Sequence, residues 1–189
     1  ANHVSVVPTG VETAKFSAFS HHEARQKLGW TSEHKTLVTI GRLAKEKSFD
    51  VVIRAFARVQ DEATRLVIIG GGDEKKNLEA LASELGLQDR VEFAGLVPFD
   101  EVPIYLAASD LFVFASVTET QGLVTLEAMA SGLPVAAVDA SGTREAVSPD
   151  CSVLTEASDE ALAAGIEQML QRTDQDSARQ AAQVRAKEF

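Results

Sequence analysis

Five short runs of almost unbroken apolar residues recur along this chain, at 35–40 (KTLVTI), 65–69 (RLVII), 91–94 (VEFA), 111–115 (LFVFA) and 134–138 (PVAAV). Each is too short for a helix of ordinary length, and most are rich in Val, Ile, Leu or Phe, so each reads as a strand. Strands that are apolar on both faces belong to a parallel sheet covered on both sides. Between them lie helical patterns, at 49–59 with Val52, Ala55, Phe56 and Val59 on one face, at 74–85 closed by Gly86, at 100–108, and at 158–171 behind Ser158. A further helix at 20–29 opens on Ser20 with Glu23 three residues later, a capping-box pattern, and stops at Gly29. A sixth strand at 152–154 reads as an edge, and the residues from Arg172 onward as a polar helical tail. Strand and helix therefore alternate about six times, which predicts a doubly wound, mostly parallel α/β sheet. No internal repeat, low-complexity segment or domain boundary interrupts it.

The most informative stretch is 116–138, SVTETQGLVTLEAMASGLPVAAV. A polar loop, Thr118-Glu119-Thr120-Gln121-Gly122, leads into LVTLEAMA, a helix apolar nearly all round except for Thr125 and Glu127. A helix of that kind is buried, and a charge on it is costly unless something satisfies it. Its start offers free N–H groups and partial positive charge to an anion. A second cationic place follows the 35–40 strand, where Gly41-Arg42-Leu43-Ala44-Lys45-Glu46-Lys47-Ser48 sets Arg42 and Lys47 at a strand's carboxyl end. Open α/β sheets bind ligands at such ends. Arg offers a planar fork to a diphosphate and Lys a mobile point charge. A solvated basic loop, a solvated Glu119 and a salt-bridged Glu127 would account for the same residues without a ligand.

Two glutamates eight apart, set in ET-x-G-L-x-x-x-E-A-M-A-x-G-x-P-V, resemble the retaining GT-B glycosyltransferases of family 4. Gly41, Arg42 and Lys47 match that family's G-R-x-x-x-x-K-G, with Ser48 in place of the usual Gly. The resemblance implies one Rossmann-like half of a GT-B fold, the half that binds a nucleotide-diphospho-sugar. It places Arg42 and Lys47 on the phosphates, the Gly122 and Leu123 amides on the distal phosphate with Val124 beside them, Glu119 on the sugar and Glu127 on the ribose. Gly71, in the Gly70-Gly71-Gly72-Asp73 turn, lies beside the donor, and Val97, just after Gly95, borders the base. Arg42, Lys47 and Glu119 are the implied catalytic residues. The resemblance also implies a UDP- or GDP-sugar as donor and no cofactor, with cations of the protein standing in for a metal.

Segment 8–12 (PTGVE) is similar to the family's interdomain P-N-G-V-D, so residues 1–15, including a short strand VSVV, read as linker and 16–189 as the donor domain. On that reading the acceptor, lipid or glycan, meets an N-terminal domain lying outside this sequence, and the isolated domain transfers no sugar. The form TETQGL resembles members that glucosylate diacylglycerol, which points to a lipid acceptor and peripheral membrane association; neutral change at a loop position explains Gln121 equally well.

Other chemistry is weaker. The net charge is −10, against nucleic-acid binding, yet residues 1–60 carry +4 and the remainder −14, so a local anion site is compatible with an acidic whole. One cysteine, Cys151, excludes an internal disulfide and fits a reducing cytoplasm. His3, His21, His22 and His34 do not make a zinc set. Asp174-Gln175-Asp176 looks like the DxD of metal-dependent transferases but lacks a preceding strand, and reads as a solvated turn. Gly142-Thr143-Arg144-Glu145 reads as a turn whose charges are either solvated or paired. A nucleotide-binding module without transfer shares the fold, which alone does not decide function, but the Arg42/Lys47 loop combined with the two glutamates favours the transferase. A phosphatase or receiver reading needs an acidic nucleophile at a strand end, to which Asp139 comes closest.

Overall fold

The computed structural model describes residues 10–119 and 121–189, so the strand expected in VSVV lies outside the described residues. Among the described residues six parallel strands form one sheet: β1 (Thr36–Ile40), β2 (Arg65–Ile69), β3 (Val91–Gly95), β4 (Leu111–Phe114), β5 (Val135–Val138) and β6 (Ser152–Thr155). Their order is β3-β2-β1-β4-β5-β6. The chain winds outward from β1 to β3, then returns to the other side of β1 and winds outward again. Direction reverses between β1 and β4, and a crevice opens there at the carboxyl ends.

Successive strand residues feed opposite layers, as the pleat requires. Leu37, Leu66, Ile68, Leu111, Val113, Ala136 and Val138 face one core, covered by α3 (Phe49–Ala57), α4 (Lys75–Glu84) and α8 (Asp159–Leu170). Val38, Val67, Ile69, Phe112, Phe114, Val135 and Ala137 face the other. That layer is covered by α1 (Thr13–Phe16), α5 (Val102–Ala108), α6 (Leu123–Ala130), α7 (Ser141–Ala146) and α9 (Gln175–Ala186). Cys151 is buried in it and is a packing residue. Tyr105 also packs, edge-on to Trp30 at 5.9 Å. Among the described residues no helix is long and apolar enough to cross a membrane.

Local signals produced several ends as expected. α2 (His21–Leu28) starts on the full Ser20–Glu23 capping box and stops at Gly29 in the left-handed region, φ 67°. Three places differ from the sequence reading. Residues 13–15, read as the end of the linker, join Phe16 in the one-turn helix α1, which buries Phe16. The expected turn around Gly142 is the short helix α7, with Gly142, Thr143 and Ala146 buried. The polar tail is a docked helix: α9 buries Ala178, Ala182 and Ala186 in the layer that holds α6. A stripe of alanines at helical spacing permits close approach while leaving the segment polar on average.

At the sheet's other end, away from the crevice, three charges are gathered. Asp110, just before β4, accepts from the Arg25 guanidinium (2.6 Å) and the Thr36 amide (2.8 Å). Arg179 of α9 reaches the same carboxylate (3.5 Å) and the Ser109 carbonyl (2.9 Å). Arg25, only 6% exposed, also donates to the carbonyls of Thr31, His34 and Ala108. Burial raises the Asp110 pKa, but His21, the Thr36 amide and Arg25 outweigh it and hold the carboxyl below the ordinary value. This cluster fastens α2 and α9 to the sheet.

Candidate functional site

Loops after β1 and β2 build one wall of the crevice. The Gly41 amide donates to the Ile69 carbonyl (3.0 Å) and the Leu43 amide to that of Gly71 (2.9 Å), so the pairing continues beyond the strands. This draws the loops together until a Cβ at Gly70 would lie 1.9 Å from the Gly41 carbonyl oxygen. Backbone approach of that kind accounts for Gly70 and for Gly72, whose Cβ would lie 2.3 Å from the Leu43 carbonyl oxygen. Above it lies a largely apolar hollow of about 420 Å³, lined by Ile40, Arg42, Ile69, Gly71, Leu96 and Val97 among others. Arg42, Gly71 and Val97 are thus brought together.

The loop then turns through a 3₁₀ segment (Lys45–Lys47) into Ser48, whose φ of 54° makes it the single non-glycine residue in the left-handed region among those described. A glycine is favoured at such a position, and serine there costs on the order of 1 kcal/mol. The departure from Gly at 48 is therefore tolerated strain. The turn carries Lys47 across the crevice to Glu119 in the β4–α6 loop, where the two side chains form an ion pair, 23% and 20% exposed. The Ser116 and Thr118 hydroxyls lie 3.5 Å from the Glu46 carbonyl, pinning the loops to each other. Arg42 pairs with Glu46, a far more exposed contact at 70% and 43%. Glu46, Ser116 and Thr118 were not singled out from the sequence, which carries no sign of contacts about seventy residues apart.

Gly122 caps α6 in the left-handed region (φ 60°) with no side-chain cap, so among the described residues no side chain takes the first-turn amides. A Cβ here would sit 2.6 Å from the Gly142 carbonyl oxygen, and the Gly142 amide donates to the Glu119 carbonyl (3.3 Å). The start of α7 is thus packed against the loop that carries Glu119. Leu123 is partly exposed, Val124 half-buried, and Thr120 lies outside the described residues.

Glu127 sits one turn farther along α6, half-buried, at a recess of about 160 Å³ with Val11, Glu12, Phe16, Phe99 and Leu123. Burial pushes its carboxyl above the ordinary range, and the charge of Lys15 only partly offsets this. The sign follows directly. Stability is intact below the unfolded carboxylate value, near 4.5, and declines as pH rises through the raised folded value. Glu127→Gln should therefore leave the unliganded chain at least as stable as the parent at pH 7, with no such advantage near pH 4. The same change should weaken ribonucleotides by about 1–3 kcal/mol. Melting curves at both pH values, with UDP titrations, check this; a large loss of stability at pH 7 would instead make Glu127 a structural anchor.

Residues set aside from the sequence have local partners. Arg144 forks onto Asp139 with two 2.8 Å bonds, which ties up the acid at the end of β5. Asp174 is held by Arg172 at the foot of α9. His21 lies 3.4 Å from Asp110, His22 beside Gln26, and His34 bonds the Ala63 carbonyl. Among the described residues no three His, Cys, Asp or Glu side chains are grouped to hold a metal. A second hollow, about 440 Å³ between α3 and α4, carries Lys45, Arg54, Asp50 and Glu74 without convergence on a point.

The chain is 40% identical over 139 residues to the alpha-monoglucosyldiacylglycerol synthase of Streptococcus pneumoniae, matching 70% of this chain and 32% of that protein. It superposes on Anabaena HepE in complex with UDP and glucose with a TM-score of 0.84 at 27% identity, covering 95% of this chain and 51% of HepE. The C-terminal domain of the group 1 glycosyl transferase LpcC from Francisella tularensis gives 0.83 at 26% identity, covering 95% and 97%. The chain thus spans about a third of the curated relative's length and nearly all of an isolated C-terminal domain. The family description "Glycosyl transferases group 1" matches residues 20–188. With that match and a six-stranded parallel sheet of the GT-B kind, the chain belongs to the glycosyl transferases group 1 family.

Proposed function

We propose that this chain is the donor-binding domain of a retaining, family 4 glycosyltransferase, and that it holds a UDP-hexose, UDP-glucose in the first instance. The observation that carries the reading is convergence. Lys47, Glu119 and the uncapped start of α6 meet where the sheet reverses direction, beside the hollow of Arg42, Gly71 and Val97. In that arrangement Arg42, Lys47 and the α6 amides offset the charge that grows on the departing diphosphate, without a metal. Glu119 orients the sugar, Glu127 takes the ribose hydroxyls, and the apolar hollow takes the base. HepE, which binds UDP and glucose, and the pneumococcal enzyme, named for glucosylating a diacylglycerol, support this donor. The latter, with the local form TETQGL, also supports a membrane-lipid acceptor and a cytoplasmic enzyme working at a membrane surface. Alignment of donor and acceptor supplies much of the rate in such a reaction; the acceptor is held by parts of the enzyme beyond this domain, and the domain alone binds donor without transferring sugar.

The test is a transfer assay with the full-length enzyme, UDP-glucose and diacylglycerol vesicles, with the product's anomeric proton followed by NMR. An α-glucoside from the α-linked donor is expected. A β-glucoside would overturn retention. Nucleotide binding that is indifferent to the sugar, with no transfer to any acceptor, would favour the binding module.

A further inference from the structure

Both cations assigned to the diphosphate hold a carboxylate: Arg42 that of Glu46, and Lys47 that of Glu119. The two pairs differ in weight. Arg42 and Glu46 are largely in water, where an ion pair contributes little. Lys47 and Glu119 are about four-fifths shielded, so water screens the pair less and separating it costs more. Glu119 is also anchored through its main chain, since its carbonyl accepts from Gly142, and Lys47 is held by the left-handed turn at Ser48. The residue that reads the sugar is therefore the one that neutralises the cation for the phosphates.

Resting on the donor-site reading above, we infer that the Lys47–Glu119 pair is an exchangeable latch that couples the sugar subsite to the phosphate subsite. A bare nucleoside diphosphate must compete with Glu119 for Lys47. A sugar nucleotide does not bear that cost in full, because its hexose hydroxyls engage Glu119 while its phosphates take Lys47. The coupling is reciprocal, as any linkage between two binding events must be. After transfer the sugar is gone, Glu119 returns to Lys47, and UDP is expelled. The pair thus favours donor over spent product, a discrimination that neither group provides alone.

A double-mutant cycle tests this on the present chain, with UDP as probe and calorimetry as readout. Glu119→Gln should tighten UDP about two- to fivefold, the scale of such a pair. In a Lys47→Met background the same change should give no gain. An equal gain in both backgrounds would mean that Glu119 acts only as a repulsive charge, and would overturn the latch. UDP binding that Glu119→Gln leaves unchanged would overturn it too, with the donor site intact. The wild-type chain gives a second arm free of any folding effect: saturating glucose should tighten UDP several-fold, and an unchanged affinity would count against the coupling. If neither UDP nor GDP binds any of these proteins, the donor-site reading fails and the latch with it.

Discussion

Replacing both Arg42 by Ala and Lys47 by Met should weaken UDP-glucose by about two to three orders of magnitude, while the chain stays folded. Each charge-assisted hydrogen bond to phosphate contributes about 1.5–3 kcal/mol, and the two residues rise from one surface loop after β1, with no core packing to lose. In the transferase the loss should exceed the binding defect. The charge on the departing diphosphate is larger in the transition state than in the bound donor, and removing one such stabilising group lowers kcat by about a hundredfold or more. Affinity by calorimetry and turnover on the same variants separate the two. Weakened affinity with kcat unchanged would mean that these residues hold the donor but contribute nothing to bond cleavage. Unchanged affinity would remove the diphosphate from this loop.

The second large effect lies at the opposite end of the sheet. Asp110→Ala should destabilise the fold by about 3–5 kcal/mol, because it leaves Arg25 and Arg179 without their shared carboxylate. For a chain of this size that corresponds to a fall in melting temperature of roughly 10 °C or more. A pH dependence accompanies it. Since the folded carboxyl is held below its ordinary value, its contribution is complete above that value and disappears as pH falls through the lowered one. Asp110→Asn should therefore melt well below wild type at pH 7 and approach it in acid. Donor affinity, measured below the variant's melting point, should be unaffected, because the cluster and the crevice lie at opposite strand ends. Parallel melting curves at pH 7 and pH 3 would expose the alternative, an Asp110 whose loss is absorbed by solvent.

These two effects also mark what could be read from sequence. Arg42 and Lys47 were visible because a Gly-Arg-x-x-x-x-Lys loop follows an apolar strand, so position and chemistry are both local. The Ser20–Glu23 box and the αL stop at Gly29 were visible for the same reason. The Asp110 cluster was not. Arg25 and Asp110 are 85 residues apart, and nothing in either neighbourhood signals the other. The helical character of α9 was legible but its docking was not, because its buried stripe is alanine and its mean polarity hides it. α7 is six residues long and contains glycine, so its helical character comes from packing against the β4–α6 loop rather than from propensity. At the site, Glu119 and Lys47 were each assigned through family resemblance, but their contact, across 72 residues, emerges only from the fold.

The carboxyl edge around β1 and β4 is proposed as a nucleotide-sugar donor site that works without metal. Its most direct measurement is calorimetry of the folded 189-residue chain with UDP and with GDP in the presence of EDTA. Saturable one-to-one binding is expected, UDP preferred, that survives EDTA and is weakened about tenfold, yet still measurable, in Lys47→Met. Negligible heat from both nucleotides, or binding that appears only when a divalent cation is restored, would contradict it.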